Sequence, residues 1–135
     1  MKLRLSLLLL AALLAIAATD PALLAYPATL VRVKDGDTVV LNVVLADAQN
    51  VRTWSRGQTY RLARIDAPES NERRGPMARD SLRIWMINAQ QLTVAPWRGV
   101  WQQDSWGRWI VEIMADGRNL NDSLVTSGLA VYRSY

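Results

Sequence analysis

The chain has 135 residues, half of them hydrophobic, with no His, no Cys and a formal net charge of +4. This length corresponds to a single domain. Because His and Cys are absent, the chain cannot form a Ser-His-Asp or Cys-His nucleophile, a disulfide or an ordinary zinc site. The chemistry left to it is that of Asp, Glu and Arg with a hard, oxygen-preferring cation.

The N-terminal residues have the order of a secretory signal peptide. A short basic start, Met1–Arg4, precedes the almost wholly apolar run Leu5–Ala18. A membrane anchor is the alternative, but roughly 20 apolar residues are needed to span a bilayer and this run is shorter. We expect a signal peptide at residues 1–18, with Ala25 as the latest end. The mature protein is then secreted or periplasmic, without stable membrane association.

Arginine dominates the basic residues, since 14 of the 16 are Arg. Guanidinium groups bind phosphate in a planar, bidentate geometry that ammonium groups cannot match. Genome composition explains the same bias equally well. The net charge falls from +4 to about +2 once Lys2 and Arg4 leave with the signal peptide, so bulk charge supports nucleic-acid binding only weakly.

Three strands are predicted in the first half of the mature chain. Leu30–Lys34 alternates in hydrophobicity and meets the turn Asp35–Asp37, and Thr38–Leu45 follows, which predicts a hairpin. Residues 47–57 are polar and irregular, and predict a surface loop. Gln58–Ile65 predicts the third strand.

The second half predicts two helices and two strands. A helix begins at Pro76 and places apolar residues on one face, namely Ala78, Leu82, Trp85, Met86 and Ala89. Strands at Gln91–Pro96 and Trp109–Met114 and a short helix at Leu120–Ser127 follow, with Gly128 as its cap. The elements predict a mainly β, α+β protein: a five-stranded OB-fold barrel with one helix of about four turns and one short helix.

Six charged residues lie at or near the ends of the predicted strands: Asp35, Asp37, Arg61, Asp66, Glu69 and Arg108. Each alone has a plain structural explanation, because Asp-Gly-Asp is a common turn and an Arg after glycine suits a solvated hairpin. Together they supply carboxylates for a hard cation, a carboxylate base and guanidinium donors for an anion. This combination suits hydrolysis of a phosphodiester.

Several sequence blocks, in one order, resemble the staphylococcal-nuclease (thermonuclease) family. They read KDGDTV at 34–39, YRLARIDAPE at 60–69, DSWGR at 104–108, ADG at 115–117, NDSLV at 121–125 and GLA at 128–130. The resemblance implies an OB-fold domain at residues 28–135 that depends on Ca²⁺, with another divalent cation as the alternative. It also implies hydrolysis of DNA and RNA, single-stranded or double-stranded, by a monomer.

The resemblance extends to the residues that hold the cation. Asp37 and Asp66 match the metal-binding carboxylates of the family. Ala67 stands where the family prototype has Thr, and the ligand at that position is a backbone carbonyl, so the missing hydroxyl need not remove the bond. Asp35 and Thr38 are expected near the metal without binding it.

The resemblance also implies the catalytic roles. Glu69 matches the general base, and Arg61 and Arg108 match the two phosphate-binding arginines. The implied reaction is in-line attack of a metal-associated water with Glu69 as base. The 5′ oxygen leaves and a 3′ phosphate remains.

Four further residues are candidates for substrate contact. Trp106 lies beside Arg108 and could stack on a base or sugar, although a half-buried hairpin residue is an equal alternative. Arg73 and Arg74 precede the long helix and could touch phosphates, but a solvated pair is the simpler interpretation. Tyr132 is a candidate for one of the aromatic residues near the family's substrate site, although its alignment with them is not fixed.

The sequence departs from the family prototype at its loops and its C-terminus. The prototype continues past the Gly-Leu-Ala block into a long helix that packs on the barrel, and we expect the domain at 28–135 to lack that helix. We therefore expect lower stability than in a longer relative. Two other functions stay open: a non-catalytic OB-fold module that binds nucleic acid or protein, and an inactive truncated fragment.

Overall fold

A computed structural model of the protein describes residues 25–46, 49 and 51–134. The predicted signal peptide at residues 1–18 lies outside the described residues, and so does Tyr135. Within the described part of the chain, no helix has the length and apolar character required to cross a membrane.

Eight strands and two α-helices make up the described fold. The strands are β1 (Tyr26–Asp35), β2 (Thr38–Ala46), β3 (Arg52–Leu62), β4 (Ile65–Asp66), β5 (Leu92–Pro96), β6 (Trp109–Ala115), β7 (Arg118–Asn119) and β8 (Val131–Tyr132). The helices are α1 (Gly75–Asn88) and α2 (Leu120–Thr126). A single 3₁₀ turn, Trp97–Gly99, joins β5 to the segment before β6.

Five of these strands close into a small mixed barrel, as predicted for an OB-fold α+β protein. They are hydrogen-bonded in the order β3-β2-β1-β5-β6, with antiparallel pairs, and parallel pairing of β3 with β6 closes the ring. Closure places Arg61 of β3 opposite Ile110 of β6, one residue beyond Trp109. Residues predicted on two distant strands therefore reach the same end of the barrel.

The long helix has the apolar face and the length that the sequence predicted. Ala78, Leu82 and Met86 are buried against the barrel core, and Trp85 and Ala89 pack at its edge. The 14 residues of α1 correspond to about four turns. Burial of this apolar stripe gives the helix its tertiary stability, since propensity contributes less in a helix of this length.

The predicted loop at 47–57 is wrong in its second half. β3 begins at Arg52 and pairs with β2 from Ala46 onward, so the hairpin extends beyond the barrel. In residues 52–57 only Ser55 is half-buried, and Trp54 keeps 47% of its surface in solvent. So little of this extension is buried that it has no alternating hydrophobic pattern, and its composition is that of a loop.

The predicted third strand, Gln58–Ile65, is also interrupted. Arg64 adopts a left-handed conformation with φ of 66°, which ends β3 at Leu62 and starts the short strand β4. β4 pairs with β8 near the C-terminus, in register Ile65 with Tyr132 and Asp66 with Val131. The kink therefore separates the end of β3 from Asp66 and brings the C-terminal strand beside it.

A buried asparagine holds α2 against the closure of the barrel. Asn121 is fully buried, and its amide donates to the carbonyls of Ala63 and Val111 at 3.0 and 3.1 Å. Its carbonyl accepts the Ile113 N–H at 3.1 Å. Because buried polar groups require partners, this side chain links α2 to the point where β3 and β6 meet.

Candidate active site

The polar side chains at the end of the barrel surround one cavity of about 300 Å³. We call this cavity the cleft. It is lined by Asp35, Asp37, Arg61, Asp66, Ala67, Glu69, Asp104, Ser105, Trp106, Arg108, Ile110 and Arg133. All six charged residues that the sequence placed at strand ends therefore meet in one place.

The innermost part of the cleft is an arginine between two carboxylates. Arg61 Nη2 lies 3.1 Å from Asp66 Oδ1 and 3.4 Å from Asp37 Oδ2. Arg61 Nη1 donates to the carbonyl of Leu62 at 3.0 Å, which fixes the plane of the guanidinium. Since both carboxylates approach the same nitrogen, Asp37 and Asp66 lie on the same side of the cleft.

Asp37 is a buried carboxylate held in a fixed orientation. Its Oδ2 accepts the Ala67 N–H at 2.8 Å and its Oδ1 accepts the Thr38 hydroxyl at 3.0 Å. Burial raises the pKa of Asp37 above its usual value, and the charge of Arg61 and these two hydrogen bonds oppose that effect. A positive charge beside Asp37 would favour its ionised form in the same way as Arg61 does.

The second arginine of the cleft, Arg108, is positioned by an aspartate four residues earlier. Asp104 accepts Arg108 Nε at 2.6 Å and the Arg108 backbone N–H at 2.9 Å. Arg108 Nη1 also donates to Thr38 Oγ1 at 3.2 Å. Thr38 thus bridges Arg108 and Asp37, so the two sides of the cleft are joined through one hydroxyl.

Glu69 lies on the loop between β4 and α1, and its exposed side chain lines the same cleft. The loop is tied to the β1 end because Ser70 donates to Asp35 Oδ1 through its N–H at 2.9 Å. At the other end of the loop, a Cβ on Gly75 would lie only 1.6 Å from the Glu69 carbonyl oxygen. The glycine therefore lets the start of α1 pack directly against the backbone of Glu69.

The candidate substrate contacts are distributed unevenly. Trp106 lines the cleft and is 83% exposed, so its ring is open to solvent. Arg73 is exposed and does not line the cleft, and Arg74 donates to the Gly128 carbonyl at 3.1 Å beside a neighbouring cavity. Tyr132 lies outside the cleft, where its hydroxyl donates to Asp122 at 2.9 Å.

Two charged residues of the cleft had no predicted role. Asp104 belongs to the quoted DSWGR block, and its spacing of four residues from Arg108 is a signal for the pairing observed here. Arg133 reaches the cleft from the segment after β8, with Nη1 3.9 Å from Asp66 Oδ1. No local pattern marks Arg133, because its place depends on the pairing of β8 with β4.

The carboxylates of the cleft are oxygen donors of the kind that a hard divalent cation binds. Five carboxylates and three guanidiniums line it, which leaves a formal excess of two negative charges. Within the described residues, no group of three or more acidic side chains is close enough to hold a metal ion. Two carboxylates with a backbone carbonyl would leave positions for water and substrate oxygen, as hydrated Ca²⁺ and Mg²⁺ sites do.

The cleft at the end of this OB-type barrel combines carboxylates with arginines, and guanidinium groups are suited to binding phosphate. Residues 59–135 match the family model described as "Staphylococcal nuclease homologue", and the chain belongs to that family. The match includes Arg61, Asp66, Glu69 and Arg108, whereas Asp37 precedes it. The resemblance identified from the sequence blocks is therefore confirmed.

Three curated relatives have the word "endonuclease" in their names. The chain is 34% identical over 107 residues to an "Uncharacterized endonuclease" of Escherichia coli O157:H7, and a protein of that name from Escherichia coli gives the same identity. Both alignments cover 78% of this chain and 60% of the relative. "Endonuclease YhcR" of Bacillus subtilis (strain 168) is 31% identical over 108 residues, covering 78% of this chain and 9% of the relative. The chain thus spans about three fifths of the first two relatives.

Proposed function

We propose that the protein is a Ca²⁺-dependent endonuclease that hydrolyses phosphodiester bonds of DNA and RNA. The observation that carries this proposal is the meeting of Glu69, Arg61 and Arg108 with two carboxylates in one cleft. Family membership and the names of the relatives support the reaction class. Export as a secreted or periplasmic monomer is part of the proposal and rests on the N-terminal sequence pattern.

Asp37, Asp66 and the backbone carbonyl of Ala67 are the groups that would hold the cation. When bound, a divalent cation of this kind offsets the negative charge of a phosphodiester and acts as a Lewis acid. Arg61 Nη2 lies within 3.4 Å of an oxygen of each of the two carboxylates. The Ala67 N–H keeps Asp37 oriented, so the ligand set is organised by hydrogen bonds before any cation binds.

Glu69 is assigned the role of general base. Its carboxylate faces the cleft from a loop and is exposed, so it can accept a proton from a water that attacks phosphorus. A positioned base contributes about 10²–10⁴-fold in rate. The P–O5′ bond breaks as the new P–O bond forms, the departing 5′ oxygen takes a proton from solvent, and Glu69 returns its proton to solvent. The products are a free 5′ hydroxyl and a 3′ phosphate.

Arg61 and Arg108 are assigned the role of binding the phosphoryl oxygens. Charge accumulates on these oxygens as the water attacks, and preorganised donors aimed at that charge each supply on the order of 3 kcal/mol. Asp104 and Thr38 keep the Arg108 guanidinium at the cleft. Guanidinium groups suit this role because their fork geometry matches two oxygens of one phosphate.

The surroundings of the cleft suit a polymer that passes through it. On one side, a groove shares Asp35, Glu69, Trp106 and Arg108 with the cleft and continues past Lys34. On the other side, a groove shares Asp66 and Ala67 and continues past Arg74. Openings on both sides support cleavage within a chain, and the exposed Trp106 ring offers a surface for base stacking.

One gel assay separates this function from the two alternatives. The purified protein is incubated with single-stranded DNA, and with RNA, in the presence and in the absence of Ca²⁺. We expect shortened products only in the incubations that contain Ca²⁺. A mobility shift without cleavage would instead support a binding module, and no change in either lane would support an inactive fragment.

A further inference from the structure

The cleft contains a third guanidinium, that of Arg133, which differs from the other two in its surroundings. Its Nη1 lies 3.9 Å from Asp66 Oδ1, at the outer limit of an ion pair, and its side chain is 60% exposed. Arg61 and Arg108 have 8% and 28% of their side chains exposed, and both are held by short hydrogen bonds. The guanidinium of Arg133 is therefore held only loosely by the protein.

The backbone of Arg133, in contrast, is well anchored. Its N–H donates to the Arg64 carbonyl at 2.8 Å, next to the pairing of β8 with β4. Arg64 is itself bound to Glu112 and to Asp122, and Tyr132 donates to the same Asp122 oxygen. Tyr132 therefore contacts this network, whereas the side chain of Arg133, the first residue after β8, lines the cleft.

An anchored backbone with a loosely held guanidinium suits Arg133 to binding an anion whose position varies. An exposed ion pair contributes little to stability, so Arg133 can leave Asp66 at small cost. The Asp66 side of the cleft is also the side where the groove continues past Ala67 towards Val131 and Arg74. Arg133 lines the cleft rather than this groove, and it lies beside Asp66, which lines both.

We propose that Arg133 binds the phosphate next to the scissile one, on the Asp66 side of the cleft, and so strengthens binding of oligonucleotides over single diesters. The proposal rests on the proposed nuclease function. It assigns to the C-terminal strand a role in substrate affinity, separate from the chemistry performed by Glu69, Arg61 and Arg108.

The test compares Arg133→Gln, Arg133→Lys and Arg83→Gln, each in a Glu69→Gln background. Glutamine keeps the backbone N–H that anchors the strand, and Arg83 is an exposed arginine of α1 outside the cleft, so its loss controls for bulk charge. Fluorescence anisotropy with a labelled single-stranded DNA oligonucleotide in Ca²⁺ buffer gives Kd over a range of salt concentrations. Binding is measured without turnover, so the result does not depend on catalysis.

For Arg133→Gln we expect Kd to rise by about five- to tenfold and the slope of log Kd against log salt to fall by about 0.7, as for one phosphate contact on a single strand. Arg133→Lys should leave the salt slope unchanged, and Arg83→Gln should leave both Kd and the salt slope unchanged. With Glu69 present, Arg133→Gln should lower kcat/KM less for bis(p-nitrophenyl) phosphate, which has one phosphate, than for the oligonucleotide.

Three results would overturn the assignment of Arg133. The first is an unchanged Kd and an unchanged salt slope in Arg133→Gln. The second is a control that changes as much as Arg133→Gln does, either in the Kd of Arg83→Gln or in the salt slope of Arg133→Lys. The third is a loss of kcat/KM on the single diester as large as the loss on the oligonucleotide. A protein with native Glu69 that binds the oligonucleotide but does not cleave it would contradict the nuclease function alone. The comparison of Kd values would then still decide the role of Arg133.

Discussion

Replacing Glu69 with Gln should lower kcat for oligonucleotide cleavage by about 10²–10⁴-fold, the contribution of a positioned general base. Glutamine has nearly the same shape but cannot take a proton from water. The exposed position of Glu69 on its loop means that the fold should be unaffected. The measurement is kcat under saturating oligonucleotide and Ca²⁺, together with the thermal unfolding midpoint.

Glu72→Gln is the matched control for Glu69→Gln. Glu72 lies three residues later on the same exposed loop, outside the cleft, and its backbone N–H bonds the Glu69 carbonyl at 2.9 Å. Its side chain is not assigned to catalysis, so kcat should be that of the unmodified protein. Turnover of Glu69→Gln at the unmodified rate, or equal losses in the two variants, would remove Glu69 as the base.

Replacing Arg61 with Leu should damage both the fold and the activity. Removing one partner of a buried ion pair typically costs about 3–5 kcal/mol, because the remaining charge is left buried without compensation. Here the remaining charge is that of Asp37, which is 7% exposed. The free energy of unfolding from urea titration at neutral pH should fall by about that amount, and kcat should fall by about 10²–10³-fold.

A second substitution separates these two effects of Arg61. Asp37→Asn in the Arg61→Leu background removes the unpaired charge. The amide oxygen can still accept the Ala67 N–H, and the amide N–H₂ then faces Thr38 Oγ1, which can turn to accept it. Much of the lost stability should return, but the activity should not. Arg83→Leu, at an exposed helix position, controls for loss of an arginine. An Arg61→Leu protein as stable as the parent would show that Asp37 does not depend on this pair.

Local sequence patterns predicted the parts of the fold that are set by burial and by turns. The apolar spacing from Ala78 to Met86 identified α1, because only one face of that helix reaches the core. The turn at Asp35–Asp37 identified the first hairpin, in which Asp35 pairs with Thr38. The outer half of β3 was not predicted because backbone pairing with β2 holds it while only Ser55 is partly buried.

The cleft could be predicted in its composition but not in its full geometry. Motif blocks identified Asp37, Asp66 and Glu69, and in the structure all three line the cleft. Arg133 could not be predicted, since it depends on a kink at Arg64 and on pairing of β8 with β4 across most of the domain. Long-range pairing of two-residue strands leaves no periodic signal in a sequence.

The central claim is that one cation-dependent cleft performs the hydrolysis, and the most direct test is reversible removal of the cation. The cleavage rate of a single-stranded oligonucleotide is followed with Ca²⁺, after addition of excess EGTA, and after Ca²⁺ is restored in excess. If Asp37 and Asp66 hold a cation that the reaction needs, cleavage stops with EGTA and returns with Ca²⁺. Cleavage that continues undiminished in excess EGTA, and also in EDTA, would contradict the claim.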